Sequence, residues 1–189
     1  MEERGAKVDY STLNRWVLKC APLLEQEFRA RKCPVGRSWR TDETYVKVKG
    51  LRKYLYRAVD RAGATADFLL TAKQYRKAAL RFLCKAFGQH GTPDTITIDK
   101  SGSHTAVIDS YNVEHEASIE ICQVKCLNNI VGQDHRAIKR LVWPMLGFKS
   151  LRSAAVTLAA IEVMHMIHKG QPRTTDELRS AREFYSLAG

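Results

Sequence analysis

Ser38-Trp39-Arg40-Thr41-Asp42-Glu43-Thr44-Tyr45-Val46-Lys47-Val48-Lys49-Gly50 is rich in β-branched and aromatic residues and ends on a glycine. Two more runs of the same kind follow, Lys53–Asp60 and Ala64–Leu70. Gly50 and the Arg61-Ala62-Gly63 segment separate the three, which predicts an antiparallel meander. Beyond it the period changes. Tyr75, Ala78, Ala79, Phe82, Leu83, Ala86 and Phe87 form one stripe at helical spacing, with Arg76, Lys77, Arg81 and Lys85 off it. Gly88 and Gly91 are read as its end. Thr95–Asp99 reads as a buried strand, His104–Tyr111 as a short helix, Ile119–Lys125 as a strand and Asn129–Trp143 as a helix. Three hairpin strands followed by alternating helices and strands predict an α/β fold, a mixed sheet with helices on its faces.

Outward from this block, Tyr10–Arg31 carries Leu13, Trp16, Val17, Cys20 and Leu24 at helical spacing, with Ser11 as the expected N-cap and Pro22 as an expected bend. After Pro144 and Gly147, Ser150 caps a helix expected to reach Lys169, and a polar tail runs to Gly189. The organisation expected is residues 1–36, 37–149 and 150–189.

The chain has 189 residues, 44% of them hydrophobic and 27% charged, enough apolar surface for a core. Thirty-one Lys and Arg against 20 Asp and Glu give a net charge of +11, which points to a polyanion, most simply nucleic acid. No segment has the length and apolarity to span a bilayer: the most apolar stretch, Ala154–Ile167, is short and contains Glu162 and His165. Five scattered cysteines make no disulfide framework, and a reducing cytoplasm is the expected setting.

Two acids stand out. Asp42 shares a strand face with Val46 and Val48, so it needs a partner: a Lys or Arg, or a metal ion. Asp99 ends a strand just before Lys100-Ser101-Gly102, and ligands of open α/β sheets gather beyond the carboxyl ends of strands. As a turn residue it has an ordinary structural use as well. Together the two carboxylates suit hard divalent cations. Two such ions roughly 4 Å apart serve phosphodiester chemistry.

With the surrounding residues the pattern becomes specific. Ser38–Gly50 with Tyr54–Asp60, then Thr97-Ile98-Asp99-Lys100-Ser101-Gly102, then Lys125–Asn129 through Asp134-His135-Arg136-Ala137-Ile138-Lys139-Arg140, resemble the successive motifs of bacterial insertion-sequence transposases, the insertion-sequence-six family. Leu146–Ser150 and His168–Gln171 match further landmarks. The resemblance implies a ribonuclease H-like fold and an Asp-Asp-Glu triad. It also implies two Mg²⁺ ions (or Mn²⁺), cleavage and transfer of DNA strands at terminal repeats and target DNA, and action as a homodimer with the nucleoid. Asp42 and Asp99 are then the first two acids and the metal ligands. The third is absent: after Asn128-Asn129-Ile130-Val131 the expected glutamate is Gly132.

The face of that helix carrying Gly132 also carries His135, Arg136 and Lys139, read as a cationic stripe toward DNA, with Arg140 beside it and Lys100 near the second motif. Asp134, two residues from Gly132, is turned away by about 200° and shares a face with Ile130, Ile138 and Leu141. Asp9–Trp16 resembles only the recognition helix of the family's helix-turn-helix, with Ser11, Asn14, Arg15 and Lys19 as DNA-contact candidates. The leading expectation is a transposase of this family, either an N-terminally truncated copy or one impaired by loss of its glutamate. The alternative is a non-catalytic DNA-binding remnant that occupies element ends or pairs with active subunits. A third is an unrelated nuclease on the same fold.

Overall fold

The computed structural model describes residues 9–72, 76–98, 102–123, 129–145 and 147–173, with backbone alone for 102–104 and 129–134. In chain order the elements are α1 (Tyr10–Arg31), β1 (Ser38–Val48), β2 (Leu51–Asp60), β3 (Thr65–Thr71), α2 (Arg76–His90) and β4 (Thr95–Ile98). There follow α3 (Gly102–His115), β5 (Glu120–Gln123), α4 (Asn129–Val142) and α5 (Leu151–His168). They divide into two compact bodies, one of residues 34–148 and one that combines residues 1–33 with 149–189.

The first body holds a five-stranded sheet in the order β3-β2-β1-β4-β5. β1, β2 and β3 pair antiparallel, while β4 lies parallel to β1 and β5 parallel to β4. The β1–β2 hairpin closes in two residues because Lys49 (φ 52°) and Gly50 (φ 76°) both take the left-handed region, which matches the twist of paired strands. That fixes the register, and Asp42 stands opposite Arg57. The β2–β3 turn is held by Asp60. Its Oδ1 accepts from Ala64 N–H (2.8 Å), and its Oδ2 accepts from Gly36 N–H (2.9 Å), at the entry to β1.

One sheet face packs on α2 and α3. Trp39, Tyr56, Phe82, Phe87, Ile96 and Ile108 belong to this buried cluster. Tyr56 stacks on Phe82 with ring centroids 5.8 Å apart, and Trp39 lies 5.7 Å from Phe87. α4 packs on β1 and β2, and its Ile138 and Val142 are buried, as are Val46 and Val48. One edge of β1 is paired with β2 throughout. Its other edge is shared: β4 pairs with it over Ser38–Arg40, and Phe148 bridges it at Val48.

In the second body α1 packs on α5. A short antiparallel bridge joins Lys32 to Pro172, with Cys33 N–H donating to the Gln171 carbonyl at 2.8 Å. Asp9, not Ser11, caps α1: its Oδ1 accepts from Thr12 N–H at 2.7 Å, and Ser11 lies within the first turn. Hydrogen bonds from the Thr12 side chain, then from its backbone N–H and from Ser11, lower the Asp9 pKa. A carboxylate two residues earlier reaches the free amides and also suits the positive helix end. α1 runs on through Pro22, α2 includes Gly88 and ends at His90, and α3 continues to His115. Ser150 does cap α5, accepting from Ser153 N–H at 3.0 Å.

Candidate active site and nucleic-acid interface

Asp42 lies midway along β1, on the face that α4 covers. Its Oδ1 accepts from Glu43 N–H at 2.8 Å. Its Oδ2 lies 3.6 Å from Nε2 of His135 on α4, and the side chain keeps 30% of its exposure. That separation exceeds hydrogen-bond length, so the imidazole packs against the carboxylate as a polar wall. Across the ladder, Arg57 is wholly buried, and its Nη2 donates to Thr65 Oγ1 at 3.4 Å. Register thus puts a guanidinium one strand away from the Asp42 carboxylate, on the same face of the sheet. On the opposite face, Glu43 accepts the Tyr56 hydroxyl; burial first, then the Glu43 charge, pushes that hydroxyl up to about 12.

His135 corrects one expectation. Its sequence position suggested a residue on an outward cationic stripe, yet it is 4% exposed. The buried face of α4 is His135, Ile138 and Val142, spaced i, i+3, i+7, and Leu141, expected on the apolar side, is exposed. An imidazole can occupy a buried position where a carboxylate faces it, which hydrophobic patterning does not register. Arg136, Lys139 and Arg140 are exposed on α4, so the cationic surface survives without His135. Gly132 lies in α4, one turn before His135, and contributes no donor. In the other body, Ser11, Asn14, Arg15 and Lys19 are exposed along α1. Asp99 and Lys100 lie outside the described residues.

The sequence reading also missed Arg57. A two-residue turn at Lys49-Gly50, counted outward equally on both strands, places it opposite Asp42. As to metal, Asp42 offers hard oxygen donors and is reachable, which suits Mg²⁺ or Mn²⁺. Among the described residues no group of three or more His, Cys, Asp or Glu is gathered for a metal. None of the described helices is long and apolar enough to cross a membrane.

A mixed sheet with an acid on its first strand and a helix laid over that acid is the ribonuclease H-like fold of the integrase catalytic cores. The integrase core of HTLV-2, solved in complex with magnesium in a dimeric form, superimposes with a TM-score of 0.55 at 16% identity, covering 82% of this chain and 99% of that one. A chain of the simian T-cell lymphotropic virus intasome, solved in complex with PP2A regulatory subunit B56 gamma, gives 0.53 at 15% identity, over 82% of this chain and 56% of that one. Residues 36–171 match a family model described as a DDE domain. Among curated proteins, the transposase for insertion sequence-like element IS431mec of Staphylococcus aureus is 34% identical over 178 residues, covering 92% of this chain and 77% of its own. A second Staphylococcus aureus transposase, of IS257 in transposon Tn4003, is 34% identical over 175 residues, covering 90% and 75%. The chain belongs to the insertion-sequence-six family of Asp-Asp-Glu transposases.

Proposed function

We propose that this chain cleaves and joins DNA at the ends of an insertion element, using Asp42 and Asp99 as metal ligands, with turnover lowered by the loss of a carboxylate at Gly132. The observation that supports this is the 3.6 Å approach of His135 to Asp42. It brings α4 directly to the first acid. Position 132, three residues earlier, is a neighbour of His135 on the helix surface, where Cβ atoms are about 5–6 Å apart. A glutamate there would have the reach to join the Asp42 carboxylate, and a glycine has nothing to offer.

Mg²⁺, or Mn²⁺, at these carboxylates would supply Lewis-acid stabilisation of the phosphoryl charge. The chain's own residues do the rest. Arg136, Lys139 and Arg140 neutralise backbone phosphates and set the strand's position. His135 and Glu43 N–H fix the rotamer of Asp42, and Arg57 balances its charge from across the ladder. A water attacks a phosphodiester in line and the strand's 3′-oxygen leaves, taking up a proton; that 3′-hydroxyl then attacks a target phosphodiester, whose own 3′-oxygen leaves, so rate depends on how well these groups are held. Terminal-repeat and target DNA are the partners, the acting species is a homodimer, and a DNA partner places it with the nucleoid.

The non-catalytic remnant reading is favoured by Gly132 itself and is separated by one assay. Purified protein is incubated with element-end duplex and Mg²⁺, and nicked strands are counted. The parent is expected to nick slowly, Gly132→Glu at least about tenfold faster, and Asp42→Asn in either background not at all. A parent and a Gly132→Glu variant that are equally inert would mean that a lesion other than Gly132 is limiting, and would favour the remnant reading.

A further inference from the structure

Just beyond α4 the chain turns outward. Trp143 follows in a single 3₁₀ turn (Trp143–Met145) and is 83% exposed, an unusual position for the largest apolar side chain. It forms part of the wall of an open cavity of about 320 Å³, together with Tyr45 and Lys47 of β1, Lys139 and Val142 of α4, and Gly147. The cavity lies toward the end of β1, beside the bridge of Phe148 to Val48, where Phe148 N–H donates to the Lys47 carbonyl at 3.0 Å. Gly147 lines it in a backbone conformation, φ +100°, that side chains rarely adopt, and a Cβ there would sit 3.2 Å from the Lys47 carbonyl, a tight contact. Cations surround the aromatic wall: Arg52 Cζ is 4.7 Å, and Lys139 Nζ 5.3 Å, from the centre of the Tyr45 ring. Among the described residues that line it there is no acid.

We infer that this cavity is a binding site for one unpaired nucleobase of the DNA strand being processed, with Trp143 as the stacking platform and Lys47 and Lys139 on the flanking phosphates. Its size is at the lower end of ligand pockets, which run roughly from 300 to 1,000 Å³, and so suits a single ring system. A flat apolar face ringed by cations is complementary to a base and its phosphodiester, and the absence of acids argues against a basic protein surface as occupant. The position fits as well. Tyr45 is three residues along β1 from Asp42, about 10 Å at the rise of a strand. At about 3.4 Å per stacked nucleotide, that is two or three nucleotides from a phosphate at Asp42. This inference rests on the proposed function for where the strand lies, but not for whether the site binds.

The test is binding in EDTA, where no cleavage occurs. Two labelled probes share one sequence: a blunt duplex, and the same duplex with three unpaired nucleotides at its 3′ end. The parent should bind the frayed probe about tenfold more tightly. Trp143→Ala should bring the two affinities within about twofold of each other without weakening the blunt probe, and Trp143→Phe should keep most of the preference. A parent with no preference, or a Trp143→Ala variant that retains it or weakens both probes alike, overturns the inference. So does loss of self-association in Trp143→Ala with the preference intact, which would make the patch a contact between copies. Because cleavage is not read, an inert Gly132→Glu variant would sink the proposed function and leave this result standing.

Discussion

His135 and Asp42 show how one contact distance organises a site. A buried imidazole 3.6 Å from a half-buried carboxylate fixes which way α4 faces, and with it the position of Gly132. The same strand carries the opposite case one residue on, where Glu43 accepts the Tyr56 hydroxyl beneath the α2 side of the sheet. Tyr56 is 1% exposed. Its proton is held to about pH 12, while an unfolded tyrosine releases it near 10. The stabilisation is therefore complete below pH 10 and falls away as pH rises toward 12. Alkaline unfolding followed by circular dichroism should show that limb, and Tyr56→Phe should flatten it. A Tyr56→Phe variant with the parent's alkaline midpoint would mean that other groups set the loss.

At the scale of elements, the sheet was largely legible and the orientation of α4 was not. Gly50 and Arg61-Ala62-Gly63 punctuate three β-rich runs, and turn residues of that kind leave few alternatives to a meander. α4 was misjudged because periodicity scores Leu141 as inward and His135 as outward, whereas the acid facing the helix reverses both. Strand alternation singles out Asp42 as a candidate, but its neighbours Arg57 and His135 become visible only once register and helix rotation are known. Among elements, the β2–β3 turn depends most on one side chain. Asp60 is 5% exposed and satisfies two amides, those of Ala64 and Gly36. Asp60→Ala leaves both without their acceptor, at a cost of about 3 kcal/mol. A drop in Tm of about 10 °C is expected by calorimetry. A change below about 2 °C would show that solvent takes over both amides.

Over the whole molecule, an excess of 11 positive charges sets how strongly it responds to salt. Each phosphate neutralised adds about 0.9 to the steepness of log affinity against log salt. Replacing Arg136, Lys139 and Arg140 together by Gln should reduce that slope by about 2 to 3 and weaken all duplex sequences alike. An unchanged slope in a filter-binding titration would place the phosphates elsewhere.

The chain is also interleaved: its opening helix and its closing helix make one body, and the sheet is threaded between them in sequence. A premature stop codon just after Phe148 would therefore spare all five strands of the sheet, yet strip α1 of the helix it packs on. Reading frames eroded from their 3′ side should lose the opening helix in function before they lose the sheet, a polarity visible in how decayed copies of such elements fail.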